Sequence, residues 1–165
     1  MGDCRLQAFE RELLTLLPRL RRFARSLARD AADADDLCQA ALERALKARE
    51  QWQPGTRLDA WMYRIIRNSW IDEIRARTRR GQTFLAEEAG ACVGAESDAD
   101  TWMELHDVDR AMAEIPAEQR EVIALVLVEG LAYREAAEIL EIPIGTLTSR
   151  LTRGRQALAR RLEAA

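Results

Sequence analysis

Between Thr146 and Leu162 the chain carries five arginines and no acid, although its 165 residues have a net charge of −3. Cationic charge gathered into one segment of an acidic chain is the footprint of a polyanion-binding surface. On a wheel of about 100° per residue, Thr148, Ser149, Thr152, Arg153 and Gln156 share one face, with Arg150 and Arg155 on its two shoulders. Leu147, Leu151, Gly154, Leu158 and Leu162 fall on the opposite face, which must pack inward. Hydroxyl, amide and guanidinium groups in this arrangement suit base edges, and the shoulder arginines suit the flanking phosphates. A surface helix with solvated arginines is the plainer reading. The concentration of charge favours DNA contact.

Nothing comparable points to catalysis. His106, the single histidine, lies in an acidic stretch without a partnered nucleophile and reads as a solvated or capping residue. No glycine loop for nucleotide phosphates is present. Asp33, Asp35 and Asp36 lack the remaining ligands of a calcium loop, so they read as caps at a helix start. Cys4, Cys38 and Cys92 show no zinc spacing, and an odd number resists a closed disulfide framework, which points to reduced cytosol. Cys38 falls in an apolar helical pattern and reads as a small core residue. No cofactor, no metal and no enzymatic activity are expected. No run approaches the roughly eighteen apolar residues of a membrane span, and Asp3 and Glu10 argue against a signal peptide. The expectation is a soluble cytoplasmic protein.

The elements that position the basic face follow from local chemistry. Tyr133 to Leu140 is helical, with Ala136 and Ala137 small enough to let a second helix cross closely and Leu140 facing the shared core. Glu141, Ile142, Pro143, Ile144 and Gly145 break it, and a fresh start near Thr146 gives a helix-turn-helix layout. A second basic helix runs from Asp59 to about Arg80. Its Met62, Tyr63, Ile66, Trp70 and Ile74 share one side, while Arg64, Asn68 and Arg75 fall within about 40° of one another on the other, flanked by Arg67. Its end carries Arg75, Arg77, Arg79 and Arg80, which suit either the helix dipole or phosphates, and Asn68 between arginines is a natural reader of base edges. Trp61 and Trp70 read as core. Trp52, in the loop marked by Pro54 and Gly55, is the candidate for stacking on a single-stranded base.

Ahead of these lie an amphipathic pattern from about Gln7 to Asp30, which Pro18 could kink or divide, and another with Leu37, Ala41, Leu42, Ala45 and Leu46 at helical spacing. With 48% apolar residues, few aromatics and sparse glycine and proline, the chain is expected to be all-α. From Gly81 to Asp109 there are eight acids and no lysine or arginine. This stretch reads as an acidic flexible linker over 81–105, joining small helical domains at 1–80 and 106–165 and holding the two basic helices on opposite lobes. In the second domain Val108, Met112, Ile115, Val122, Ile123, Leu125, Val126 and Leu127 are assigned to the core, with Pro116 starting a helix.

In this order and spacing, two stretches of the first half, Asp35 to Ala45 and Leu58 to Asn68, and two of the second, Ile115 to Val122 and Ile142 to Leu151, resemble the extracytoplasmic function (ECF) sigma factors. These are a small two-domain group of the bacterial housekeeping-type sigma family. The resemblance covers nearly the whole chain. It implies a region-2-like domain that binds the core polymerase and the minus-ten element, and a region-4-like helix-turn-helix domain for the minus-thirty-five element. It implies that Asp36, Gln39, Glu43 and Arg44 dock on the clamp helices of the largest polymerase subunit. It further implies that Trp52, Arg64, Arg67, Asn68, Arg75 and Arg77 handle minus-ten DNA and trap a flipped base, with strand opening driven by binding energy. Thr148, Ser149, Arg150, Thr152, Arg153, Arg155 and Gln156 are then the minus-thirty-five readers, and an anti-sigma protein is an expected partner. Where many relatives place glycine in the turn, this chain has Glu141, which would cost about 1 kcal/mol if the position needs positive φ. The competing readings are a stand-alone helix-turn-helix regulator binding an operator as a dimer, and an adaptor that only sequesters a regulator.

Overall fold

The computed structural model describes residues 2–28, 30–80 and 108–163, and among these it contains helices and no strand. The expected linker over 81–105, with Cys92, and His106 just beyond it lie outside the described residues.

Helix α1, Gly2–Leu27, buries Phe9, Leu13, Leu20, Phe23 and Leu27 along one stripe. Pro18 sits inside this helix without dividing it. Helix α2, Ala31–Lys47, is capped by Asp30, whose carboxylate accepts a hydrogen bond from the Asp33 N–H at 2.8 Å. Asp33, Asp35 and Asp36, expected as the caps, instead lie inside the helix. A 3-10 turn, Arg49–Gln51, leads to a loop in which Gly55 takes φ +85° and the Thr56 hydroxyl donates to the Gln53 carbonyl at 2.6 Å. Helix α3, Leu58–Arg79, then buries Leu58, Met62, Tyr63, Ile66 and Trp70 against α1 and α2.

The second half begins with α4 over 108–114 and α5, Ala117–Ile123, which opens after Pro116. Helix α5 runs on into a π-helical turn, Ala124–Val128, where the Glu129 N–H reaches back five residues to the Ala124 carbonyl at 2.9 Å. Helix α6, Tyr133–Leu140, starts with the Glu135 carboxylate accepting from the Ala132 N–H at 3.1 Å. It ends at Glu141, whose φ of 56° turns the chain into α7, Ile144–Glu163. The second helix thus begins slightly earlier than its expected start near Thr146. Val108 and Leu127, assigned to the core by pattern, are exposed, at 38% and 48%.

The buried residues of both halves form one contiguous cluster. Helix α1 touches α5 and the π turn, and α3 touches α6, so the two halves pack directly against each other. Arg120 helps to clasp the halves. It is 5% exposed, and its guanidinium donates to the carbonyls of Leu27 at 2.8 Å, Ala113 at 2.6 Å and Ile115 at 3.0 Å. Hydrogen bonds from its two terminal nitrogens to three carbonyls compensate the hydration that a buried cation loses.

Candidate nucleic-acid interface

Helix α7 presents the expected two faces. Leu147, Leu151 and Gly154 are buried, Leu158 is half-buried, and only Leu162, near the end, is exposed. Burying each leucine contributes roughly 1.5–3 kcal/mol, which fixes the rotation of the helix and therefore what it turns outward. Outward are Thr148, Thr152, Arg153, Arg155 and Gln156, all exposed, with Ser149 and Arg150 half-buried beside them. Arg153 and Arg155 make no ion pair with any described residue, so both cations are available. Arg150 differs: its guanidinium meets the Glu118 carboxylate of α5 at 2.9 Å. The close crossing of α5 and α7 depends on Gly154, where an added Cβ would come 2.8 Å from Ile123 Cδ1 and 3.2 Å from Gln119 Cβ.

On α3, Arg64, Asn68 and Arg75 are exposed on one face, as the pattern required, with Arg67 half-buried at its edge. The C-terminal half occupies two of them. The Arg64 guanidinium donates to the Glu138 carbonyl at 3.0 Å, and Arg67 Nε donates to Glu121 at 3.0 Å. Glu121 is 5% exposed, and its burial pushes the carboxyl above its ordinary value even though the Arg67 charge pulls the other way. Further along the same seam Arg57 pairs with both Asp59 and Glu135. Burial alone would raise the Asp59 carboxyl, but hydrogen bonds from Arg57 and the Ala60 N–H, with the Arg19 charge nearby, hold it below the usual range.

Two expected DNA contacts are placed elsewhere. Trp52 is 3% exposed, its ring 5.4 Å from that of Phe9, because the loop folds its largest apolar side chain beneath α1 instead of presenting it. Arg77 grips Asp33 through two nitrogens at 2.7 and 2.8 Å and Glu73 at 2.9 Å, tying α3 to the start of α2. These hydrogen bonds hold its guanidinium more firmly protonated than usual. On the outer face of α2, Asp36, Gln39, Glu43 and Arg44 are all exposed and lie together, with Gln39 donating to Glu43 at 3.4 Å and Arg44 meeting Asp72 at 3.2 Å.

The residue that sequence reasoning missed is Glu129. Its side chain is 0% exposed and collects Arg19 Nε at 3.2 Å, Arg22 Nε at 3.0 Å and the Tyr63 hydroxyl at 2.7 Å. Burial together with that hydrogen bond raises the Tyr63 phenol, keeping it a donor, and the hydrogen bond to Glu129 likewise strengthens protonation of Arg22. An acid following an apolar run and preceding a glycine gives no local sign of such a hub.

Comparison with known proteins agrees with this geometry. A family model described as Sigma-70 region 2 matches residues 13–80, and one described as Sigma-70, region 4 matches residues 105–158. The chain is 34% identical over 148 residues to the ECF RNA polymerase sigma factor EcfG of Rhodopseudomonas palustris (strain TIE-1), covering 90% of this chain and 81% of that protein. It is 30% identical over 143 residues to the ECF RNA polymerase sigma factor SigM of Mycobacterium tuberculosis (strain ATCC 25618 / H37Rv), covering 87% and 71%. Among solved structures, the sigma factor RpoE in complex with the anti-sigma factor NepR from Bartonella quintana is similar, with a TM-score of 0.82, 34% identity, and 95% and 98% of the two chains covered. With both halves matched in order and each basic helix in the half that should carry it, the chain belongs to the ECF family of RNA polymerase sigma factors.

Proposed function

We propose that this ECF sigma factor divides promoter recognition among three surfaces. The outer face of α2, with Asp36, Gln39, Glu43 and Arg44, docks on the clamp helices of the largest subunit of core polymerase. The α3 face carrying Arg64, Arg67, Asn68 and Arg75, with the exposed loop over 53–56, engages the minus-ten element and receives a flipped base. The α7 face carrying Thr148, Ser149, Thr152, Arg153, Arg155 and Gln156 reads the minus-thirty-five element, and Arg150 braces that helix beside its phosphate contacts. The region-2-like domain 1–80, the linker 81–105 and the region-4-like helix-turn-helix domain 106–165 form the working units of this division. Strand opening draws on binding energy, with a few kcal/mol of unstacking offset by the pocket, and no bond is hydrolysed by this chain.

The observation that carries the reading is the outward face of α7, whose rotation is fixed by buried leucines and whose Arg153 and Arg155 are unengaged by any described residue. Family membership favours it over an operator-binding dimer. An anti-sigma partner is part of the proposal, since a similar sigma factor is seen bound to one. A cytoplasmic location fits as well: no described helix is long and apolar enough to cross a membrane.

Reconstitution with core polymerase on a library of promoter fragments tests all three surfaces. Arg153→Ala is expected to weaken upstream contact by about 1–3 kcal/mol. Asn68→Ala should impair opening, seen by permanganate footprinting, more than closed-complex formation. Unchanged occupancy in the first variant, or equal loss of both steps in the second, would count against these placements.

A further inference from the structure

We infer that Thr148 and Thr152 select promoter sequence by their methyl groups, meeting thymine C5-methyls at two positions, while their hydroxyls serve only as acceptors. The inference rests on the assignment of α7 to the upstream element. A threonine hydroxyl has one proton and two lone pairs. In Thr148 that proton goes to the Ile144 carbonyl at 2.9 Å, and in Thr152 to the Thr148 carbonyl at 3.0 Å. Ser149 behaves alike, donating to the Thr146 carbonyl at 3.0 Å. Each hydroxyl is folded back onto its own helix, and what the two exposed threonines offer outward is a methyl and unused lone pairs.

The major groove gives these groups a definite meaning. Thymine presents a methyl beside its O4 acceptor, adenine an N6 donor, and guanine two acceptors, N7 and O6. A lone-pair oxygen can accept from adenine, and a methyl can pack on thymine. Guanine offers only acceptors, so at these positions it would confront hydroxyls whose protons are already committed. Donors come from elsewhere on the helix, from Arg153 and Gln156, both exposed. Arg150, drawn to Glu118 at 2.9 Å, acts as a positioning residue for the helix.

Spacing sharpens the inference. Residues four apart on a helix are separated by about 6 Å along its axis, and successive base pairs by about 3.4 Å, so the two methyls match thymines about two base steps apart.

The test uses the full chain assembled with core polymerase on a promoter selected from a fragment library. Each thymine of the upstream element is replaced singly by uracil, which removes the C5-methyl and nothing else. Two thymines about two steps apart are expected to be sensitive, each losing about fourfold in affinity, the worth of one buried methyl-sized group. Thr148→Ser and Thr152→Ser, which keep the hydroxyl and lose the methyl, should each abolish sensitivity at one of these positions. Thr148→Val and Thr152→Val, which keep the methyl shape, should preserve it. Uniform indifference to uracil, or loss of methyl sensitivity in the valine variants, overturns the inference while upstream binding itself persists. If Arg153→Ala leaves upstream occupancy unchanged, the assignment of α7 fails and takes this inference with it.

Discussion

Glu141 is the one described non-glycine residue with positive φ, at 56°. Left-handed backbone costs a residue with a Cβ about 1–2 kcal/mol, and a β-branched residue more. Glu141→Gly should therefore be more stable than Glu141→Val by at least about 1 kcal/mol in denaturant melts; equal midpoints would mean that the turn relaxes instead of holding strain. Glu121 makes a second prediction at this scale. Because burial raises its carboxyl, the packed chain holds that proton more tightly than the unfolded chain does. The linked stability is fully present below the ordinary carboxylate value of 4.5 and is lost as pH rises through the raised one. Wild type should thus lose stability relative to Glu121→Gln as pH rises through that window, and unfolding free energies measured across pH should show this slope. A difference that is flat, or that slopes the other way, would mean that Arg67 outweighs burial. Individual residues were also where the sequence misled. Asp30 and Asp33 are both plausible caps by type, and only the backbone geometry gives the role to Asp30. Trp52 sits among loop residues, and its partner Phe9 lies on a different helix.

Among the elements, α7 was the most legible, because its leucine stripe and polar face repeat with a period that any helix obeys. The turn before it was legible for an equally local reason, through Pro143. What periodicity could not supply is how near the neighbouring helix comes. Gly154 marks that distance, and Gly154→Ala should cost about 1–3 kcal/mol despite the better helix propensity of alanine, since Ile123 Cδ1 must move. Combining it with Ile123→Val, which deletes that atom, should recover part of the loss in thermal unfolding. Strict additivity of the two substitutions would argue against the contact. Arg77 carries the complementary lesson. A cationic helix end suits DNA and suits a neighbouring acid equally well, and here Asp33 claims it.

At the scale of the whole molecule, the seam between halves was illegible because its members are remote in sequence: Tyr63 and Arg19 lie 66 and 110 residues from Glu129. The same seam engages Arg64 and Arg67, so promoter contact by α3 in the proposed manner requires the halves to part. Glu129→Ala leaves two arginines and a phenol without their shared acceptor and should loosen the packed arrangement, at a cost of about 1–3 kcal/mol, mostly from the buried Tyr63 hydroxyl, since both arginines stay partly in solvent. Small-angle scattering of the variant should give a larger radius of gyration than wild type; an unchanged radius with lowered stability would confine the role of Glu129 to local folding.

The π-helical turn over Ala124–Val128 bears directly on that carboxylate. Such a turn accommodates one residue more than an α-helical register, and each residue of an α-helix rotates the chain by about 100°. Deleting one residue there would let the segment close as ordinary α-helix with Glu129 on nearly the same heading toward Arg19, Arg22 and Tyr63, whereas a second deletion, with no surplus residue left to absorb it, would turn the carboxylate away by that angle. The surplus residue of this short span thus makes the fastening of the two halves tolerant of one loss of length and intolerant of a second.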